Sequence, residues 1–418
     1  VYLSVNEEAP RVQTSIAVRA GSKNDPATAT GLAHYLEHML FKGTDVYGTL
    51  DFSKEGPLLL EIDSLYEVYR GTTDEAARKA LYAQIDSVSQ LASTFAIANE
   101  YDKMVSEMGA KGTNAYTSQE ETVYINDIPT NQLEKWLNLE AERFRNPQLR
   151  LFHTELEAVY EEKNRSLDSD GSITFETLMD NLFPNHQYGQ QTTIGTIEHL
   201  KNPSLTEIKK YFNTYYVPNN MAICLAGDFN PDSVIAMIKE NFGSFESKEV
   251  PTFEVAEEAP ITAPIIKEVT GPDAEFMYMA YRFDGVDTRE SQLIQLCDMI
   301  LANSTAGIID LNLNQAQAVQ NASSFTYILT DYSAHMLTGS PKQGQTLEEV
   351  KDLLLAQIDS LKAGAFPDWL PEACINDLKL GRVRQFGNNR GRTSMMVDAF
   401  VQRRDWSEAV NEIDELKK

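Results

Sequence analysis

Apolar residues alternate with others near the start of the chain. Val1-Tyr2-Leu3-Ser4-Val5 reads as the middle of a strand, and Val12, Thr14, Ile16 and Val18 recur at every second residue up to Gly21, which predicts a second strand. The period changes at Leu32. Leu32, Leu36, Met39 and Leu40 stand at i, i+4, i+7 and i+8, which predicts a helix with one face on a core, and Gly43 offers a stop. Helical spacing returns at Leu58-Leu59-Leu60, Ile62, Leu65, Tyr66 and Tyr69, and again at Ala80, Leu81, Ile85, Val88 and Leu91. Between these runs Thr72-Thr73-Asp74-Glu75 offers a capping box for the second helix. Met221-Ala222-Ile223-Cys224-Leu225-Ala226 has the pattern of a buried strand. Residues 246–264, with Glu246, Lys248, Glu249, Pro251, Glu254, Glu257, Glu258, Pro260 and Pro264, predict a charged, proline-punctuated linker. Beyond it, Phe276–Phe283 and Gln292–Ile300 predict a strand and then a helix, a weak repeat of the strand around Ile16 and the helix from Leu32.

The polar side of the helix from Leu32 carries the candidate chemistry. His34 and His38 are four residues apart and share a face, with Glu37 beside them. Two imidazoles at this spacing can hold one Zn²⁺, and a carboxylate next to the metal can serve as a base for water. The order is H-x-x-E-H, the inverse of H-E-x-x-H. A catalytic zinc needs a third protein ligand and an open position. The helical stretch 151–164 offers Glu155 and Glu162, seven apart and so on one face, but Glu157, Glu161 and His153 compete with them on spacing alone. His186 and His199 read as loop or capping residues.

These motifs resemble the pitrilysin/insulinase family of zinc metallopeptidases, the inverzincins. The match extends through Gly112-Thr113-Asn114-Ala115-Tyr116-Thr117-Ser118 with Glu121-Thr122-Val123-Tyr124, then Tyr188-Gly189 with Thr193-Ile194-Gly195-Thr196, then Tyr215–Met221 with Gly227-Asp228. The resemblance implies a single Zn²⁺ held by His34, His38 and Glu162, with Glu37 as the base and Glu155 as a supporting carboxylate. It also implies an edge strand at Asn114 and Ala115 that pairs with the backbone of a peptide substrate. The fold it implies is α+β: two tandem, weakly repeated domains, each a mostly antiparallel sheet with helices on one face. The expected division is a zinc-bearing domain at 1–245, a linker at 246–264 and a degenerate sister domain at 265–418.

Two departures bear on function. Glu162 lies 124 positions after His38, longer than the family's usual separation, and the surplus at about residues 49–108 reads as an inserted helical hairpin, a surface decoration rather than a lid. In the sister domain Ile294, Cys297 and Asp298 fall where His34, Glu37 and His38 stand, so no second metal site is expected. The family also clamps substrate with an Arg and a Tyr from a further domain, and here Asn314 and Asn321 occupy those places. The resemblance therefore implies a missing C-terminal half or a partner subunit.

Composition narrows the partners. Of 418 residues, 62 are acidic and 36 basic, a net charge of −26, which argues against nucleic acid because phosphate binding needs a basic surface. No apolar run is long enough to span a membrane. Cys224, Cys297 and Cys374 form neither a metal motif nor a disulfide framework. The chain begins inside a strand, without an initiator Met, so an upstream piece such as a signal peptide is expected to have been removed, and with it a periplasmic or secreted location is expected. The reading is a zinc endopeptidase; the alternative is a metal-binding but non-catalytic peptide-binding or scaffold subunit.

Overall fold

The structure, a computed structural model, describes residues 1–286 and 288–415. The chain forms two units, and neither is continuous in sequence. The first comprises Val1–Arg165, Gln191–Glu254 and Asn388–Val401; the second comprises Ser166–Gln190, Val255–Gly387 and the remainder from Gln402. The expected division at 1–245, 246–264 and 265–418 is thus crossed twice, by 166–190 and by 388–401. Sequence periodicity does not reveal such exchanges, because it marks where an element buries its apolar face and not which sheet it buries it on.

The first unit is built on a five-stranded sheet of β1 (Tyr2–Val5), β2 (Arg11–Val18), β3 (Lys111–Thr117), β4 (Thr122–Pro129) and β5 (Met221–Gly227). The order is β1-β5-β2-β4-β3, with β1 parallel to β5 and the other pairs antiparallel. Central β2 is buried on both faces. Val12, Ile16 and Val18 join the main core, whereas Ser15 and Ala17, with Ala222, Cys224 and Ala226 of β5, lie on the opposite face. Small residues there admit the helix Asn389–Val401, and Arg19 donates to the Phe400 carbonyl.

Helix α1 (Leu32–Met39) packs on the core face, with Leu32, Leu36, Met39 and Leu40 almost fully buried, as their spacing predicted. The inserted hairpin is present as α2 (Phe52–Gly71) and α3 (Glu75–Ser93), followed by α4 (Glu100–Glu107). The cap of α3 is Asp74, whose side chain accepts from the Ala77 amide, and not Thr72. The hairpin is more than decoration: Leu59, Ile62, Tyr66, Ile85 and Ala92 enter the main core. Helices α5 (Leu133–Arg145) and α6 (Phe152–Leu167) follow β4.

The second unit holds a three-stranded antiparallel sheet, β6 (Met277–Asp284), β7 (Asn321–Ile328) and β8 (Tyr332–Ser340), in the order β6-β8-β7. Leu301, Ile309, Leu337, Val350 and Leu354 form its core with helices Arg289–Leu301 and Leu347–Lys362. The strand-then-helix order repeats that of β2 and α1. Glu258, in the irregular segment that precedes β6, accepts from the Asn185 and His186 amides at 2.8 Å.

A buried ion pair shapes the loop that leaves α1. The Arg150 guanidinium meets Glu55 at 2.6 and 2.9 Å and donates to the carbonyls of Lys42, Thr44 and Tyr47. Gly43 (φ +94°) and Gly48 (φ +84°) lie against it, where a Cβ would fall within 3 Å of the Arg150 Nη1. Removing one partner of such a pair strands a charge in the core and costs about 3–5 kcal/mol. Glu55→Ala should therefore lower the unfolding free energy by about that amount in urea titrations and speed amide exchange at Thr44. A loss below about 1 kcal/mol would show that the three carbonyls satisfy Arg150 unaided.

Candidate metal centre

The first turn of α1 is fixed from outside the helix. Asp25 accepts from the amides of Gly31 and Ala33 at 2.7 and 3.0 Å, taking two of the amides a helix start leaves unpaired. Burial pushes the Asp25 carboxyl up to about 8, against those amide bonds. Gly31 has φ +87°, and a Cβ there would meet the Ile194 carbonyl at 2.6 Å, so the loop 194–195 closes over the helix start only on a glycine. Within α1 only His34 and His38 are not buried.

Helix α6 brings the third donor. Its entry residue Leu151 has φ +56°, and Phe152 docks edge-on to Tyr35 with ring centroids 4.8 Å apart, while the Tyr35 hydroxyl donates to the Phe152 carbonyl at 2.6 Å. That contact sets the rotation of α6. Glu155 then faces the end of α1, and Glu162, two turns on, faces the two imidazoles.

His34, His38 and Glu162 are the one group of three or more potential metal ligands among the described residues, with donor atoms within 4.8 Å of one another. Glu162 Oε2 lies 3.7 Å from His34 Nε2 and 3.9 Å from His38 Nε2. Donors around a tetrahedral zinc with bonds of 2.0–2.2 Å stand about 3.3–3.6 Å apart, so Glu162 already lies close to that spacing from both rings. Two imidazoles and one carboxylate, with the Glu162 side chain 46% exposed, are a donor set that fits zinc with an open position. Glu157 and Glu161 are exposed, and His153 pairs with the Tyr66 hydroxyl at 2.9 Å, so none of the three competitors joins the cluster.

The surroundings prepare the ligands. His38 Nδ1 donates to Glu155 Oε2 at 3.2 Å, which selects the tautomer whose Nε2, in the neutral ring, offers its lone pair to a metal. Glu155 Oε1 in turn meets Lys42 Nζ at 2.5 Å. Burial would raise the Glu155 carboxyl, but His38 and Lys42 outweigh it and hold it low. Burial, with the charge of His38, drives His34 down to about 4, so this ring is neutral and ready to ligate. For His38 burial also pulls down, but its bond to Glu155 and the charges of Glu37, Glu155 and Glu162 prevail and raise it. His34 Nδ1 is buried without a hydrogen-bond partner, so packing alone orients that ring. Glu37 is only 9% exposed, and burial raises its carboxyl above the ordinary range, opposed by a bond from the Thr117 hydroxyl at 2.6 Å. Lys42, Thr117 and Arg150 carry no spacing signal, because each acts across segments distant in sequence; Asp25 acts only six and eight residues ahead, but through the irregular turn before α1.

Other sequence expectations fall elsewhere. Asn114 and Ala115 lie on β3, at the edge of the sheet, with Asn114 exposed and Ala115 half-buried. His199 Nδ1 accepts from the Thr30 amide and hydroxyl, and His186 sits 3.4 Å from Asp331, both outside the cluster. In the second unit Asp298 pairs with His335 at 3.0 Å. The Asn314 side chain bonds both backbone groups of Ala322, and Asn321 is exposed at the start of β7.

Residues 1–56 and 90–196 match the model of the insulinase family, peptidase family M16, and residues 203–378 match the M16 inactive domain. The unmatched residues 57–89 fall within the α2–α3 hairpin. The chain is 25% identical over 354 residues to the zinc protease PqqE of Helicobacter pylori, covering 82% of this chain and 78% of that protein. It is 27% identical over 265 residues to the insulin-degrading enzyme of Mus musculus, covering 62% of this chain and only 21% of the mouse enzyme. In fold it resembles a protease from Helicobacter pylori, with a TM-score of 0.78 at 20% identity, over 100% of this chain and 92% of that one. The chain belongs to the insulinase family of peptidases, family M16.

Proposed function

We propose that this chain is the zinc-bearing part of an endopeptidase that cleaves peptides or unfolded segments within an enclosed chamber, completed by a second half or a partner subunit. The observation that carries the reading is the convergence of His34, His38 and Glu162 beside the buried carboxylate of Glu37. Zinc, when bound, supplies a Lewis acid and makes water acidic enough to lose a proton near neutral pH. His34, His38 and Glu162 would hold it, and Glu155 would fix the tautomer of His38. Glu37 would accept the proton from the attacking water and return it to the leaving amine; burial, by raising its affinity for that proton, suits it to both tasks. The open edge of β3 at Asn114 and Ala115 would take the peptide as an added strand, so recognition falls mainly on the backbone and sequence preference is loose. Asn314, engaged with Ala322, and Asn321 offer no cationic or phenolic clamp, which supports the need for a second half.

The ligand assignment is tested by metal content and turnover together. The wild type should bind one zinc; His34→Ala should lose zinc and hydrolysis, whereas Glu37→Gln should keep zinc and lose hydrolysis. Loss of zinc from a folded Glu37→Gln protein would remove Glu37 as the base.

The supporting carboxylate predicts a pH dependence. With His38 raised above 6.5, zinc must displace its proton, and affinity should fall about tenfold per pH unit below that pKa. Glu155→Gln should weaken zinc about 10–100-fold at neutral pH and, having removed a group that raises His38, shift this acid limb to lower pH. Glu161→Gln should do neither. Chelator competition across pH 5–8 measures both effects, and an unshifted limb in Glu155→Gln would detach Glu155 from His38.

A further inference from the structure

We propose that Thr117 is a positioning residue that ties the proton-accepting carboxylate of Glu37 to the edge strand β3; the proposal rests on the peptidase reading above. Thr117 is the last residue of β3 and lies 80 positions after Glu37. Its hydroxyl Oγ1 donates to Glu37 Oε2 at 2.6 Å, a short bond of the charge-assisted kind. Among the described residues no other group hydrogen-bonds the carboxylate, so Oε2 is anchored and Oε1 has no protein partner. The final torsion of a glutamate is broad, and without an anchor the carboxylate would sample many orientations. One hydroxyl removes that freedom and leaves one oxygen to act.

The anchor is itself rigid. Thr117 pairs with Thr122 across the β3–β4 ladder, and the Thr122 hydroxyl is held by the Ala20 carbonyl at 3.1 Å. A β-branched side chain on such a strand has few χ1 choices, so the hydroxyl direction follows the strand. Ala115 and Thr117 alternate with Asn114 and Tyr116 along β3, so the two former side chains share the face toward α1. The opposite long edge of β3 is unpaired. A peptide added there would stiffen the strand whose last residue orients the base, so occupancy of the edge and readiness of Glu37 are coupled through one hydroxyl.

A plain packing role makes a different forecast, because valine has the shape of threonine without the donor. The full chain, zinc-loaded, is compared as wild type, Thr117→Val and Thr117→Ser on a quenched peptide library. Thr117→Val should lower kcat about 10–100-fold with KM, zinc dissociation constant and Tm unchanged, and Thr117→Ser should return kcat to within about threefold of wild type. Crystal structures of both variants should show the Glu37 carboxylate displaced in Thr117→Val and in place in Thr117→Ser. A Thr117→Val kcat within twofold of wild type, a loss matched by weaker zinc or lower Tm, or a serine variant as slow as the valine one overturns the proposal. A folded wild type that binds no zinc defeats the peptidase reading instead, whereas one that binds zinc but turns over too slowly to assay is what a chain lacking its second half should do. In that case the crystal structures still decide, and an unmoved Glu37 in Thr117→Val removes the role of Thr117.

Discussion

The enclosure of α1 is the constraint from which the rest of the site follows. Six of its eight residues are buried, and the two that are not are the metal-binding candidates His34 and His38. A helix so enclosed cannot rotate to another face without exposing Leu36 or Met39 and burying an imidazole. Its start is held by Asp25 and by the loop over Gly31, and the loop at its end is held by Arg150. The two donors it offers are therefore placed before any metal arrives, the kind of preorganisation that spares a catalyst reorganisation at the moment of reaction.

Charges near this helix are buried in matched sets. Arg150 meets Glu55; Arg143 meets Glu140 at 2.6 Å and stacks on Phe41, Tyr101, Tyr124 and Phe144; Glu155 sits between Lys42 and His38. Such pairs rarely add much net stability, because desolvation offsets the attraction, but each one penalises any arrangement that separates its members. They act here as registry pins. The pair Arg150–Glu55 joins the head of α2 to the loop after α1, so the hairpin region, part of which lies outside the family match, is wired to the loop that carries Lys42 toward Glu155.

The second unit repeats the order of strand and helix without the chemistry. Asp298 is paired with His335, and the Asn314 side chain is engaged with the backbone at the start of β7. Groups committed to one another in this way are not available as ligands. The sheet and its helices need only apolar periodicity, which survives the loss of the polar residues that a metal site requires.

Much of the site was legible in the sequence, because its parts are local. The spacing of His34, Glu37 and His38 on an apolar-backed helix, and the seven-residue step from Glu155 to Glu162, are consequences of 3.6 residues per turn, which a linear pattern records. Periodicity likewise predicted the hairpin, β2 and the strand-helix repeat. It could not choose Glu162 over Glu161 or Glu157, since all lie on one polar helix; the docking of Phe152 on Tyr35 made that choice by setting the rotation of α6. Nor could it find Thr117, Lys42 or Arg150, or send 388–401 back to the first sheet and 166–190 to the second unit. Those were decided by the tertiary structure, because a hydrogen bond or a packed face between segments up to several hundred residues apart leaves no period in either segment.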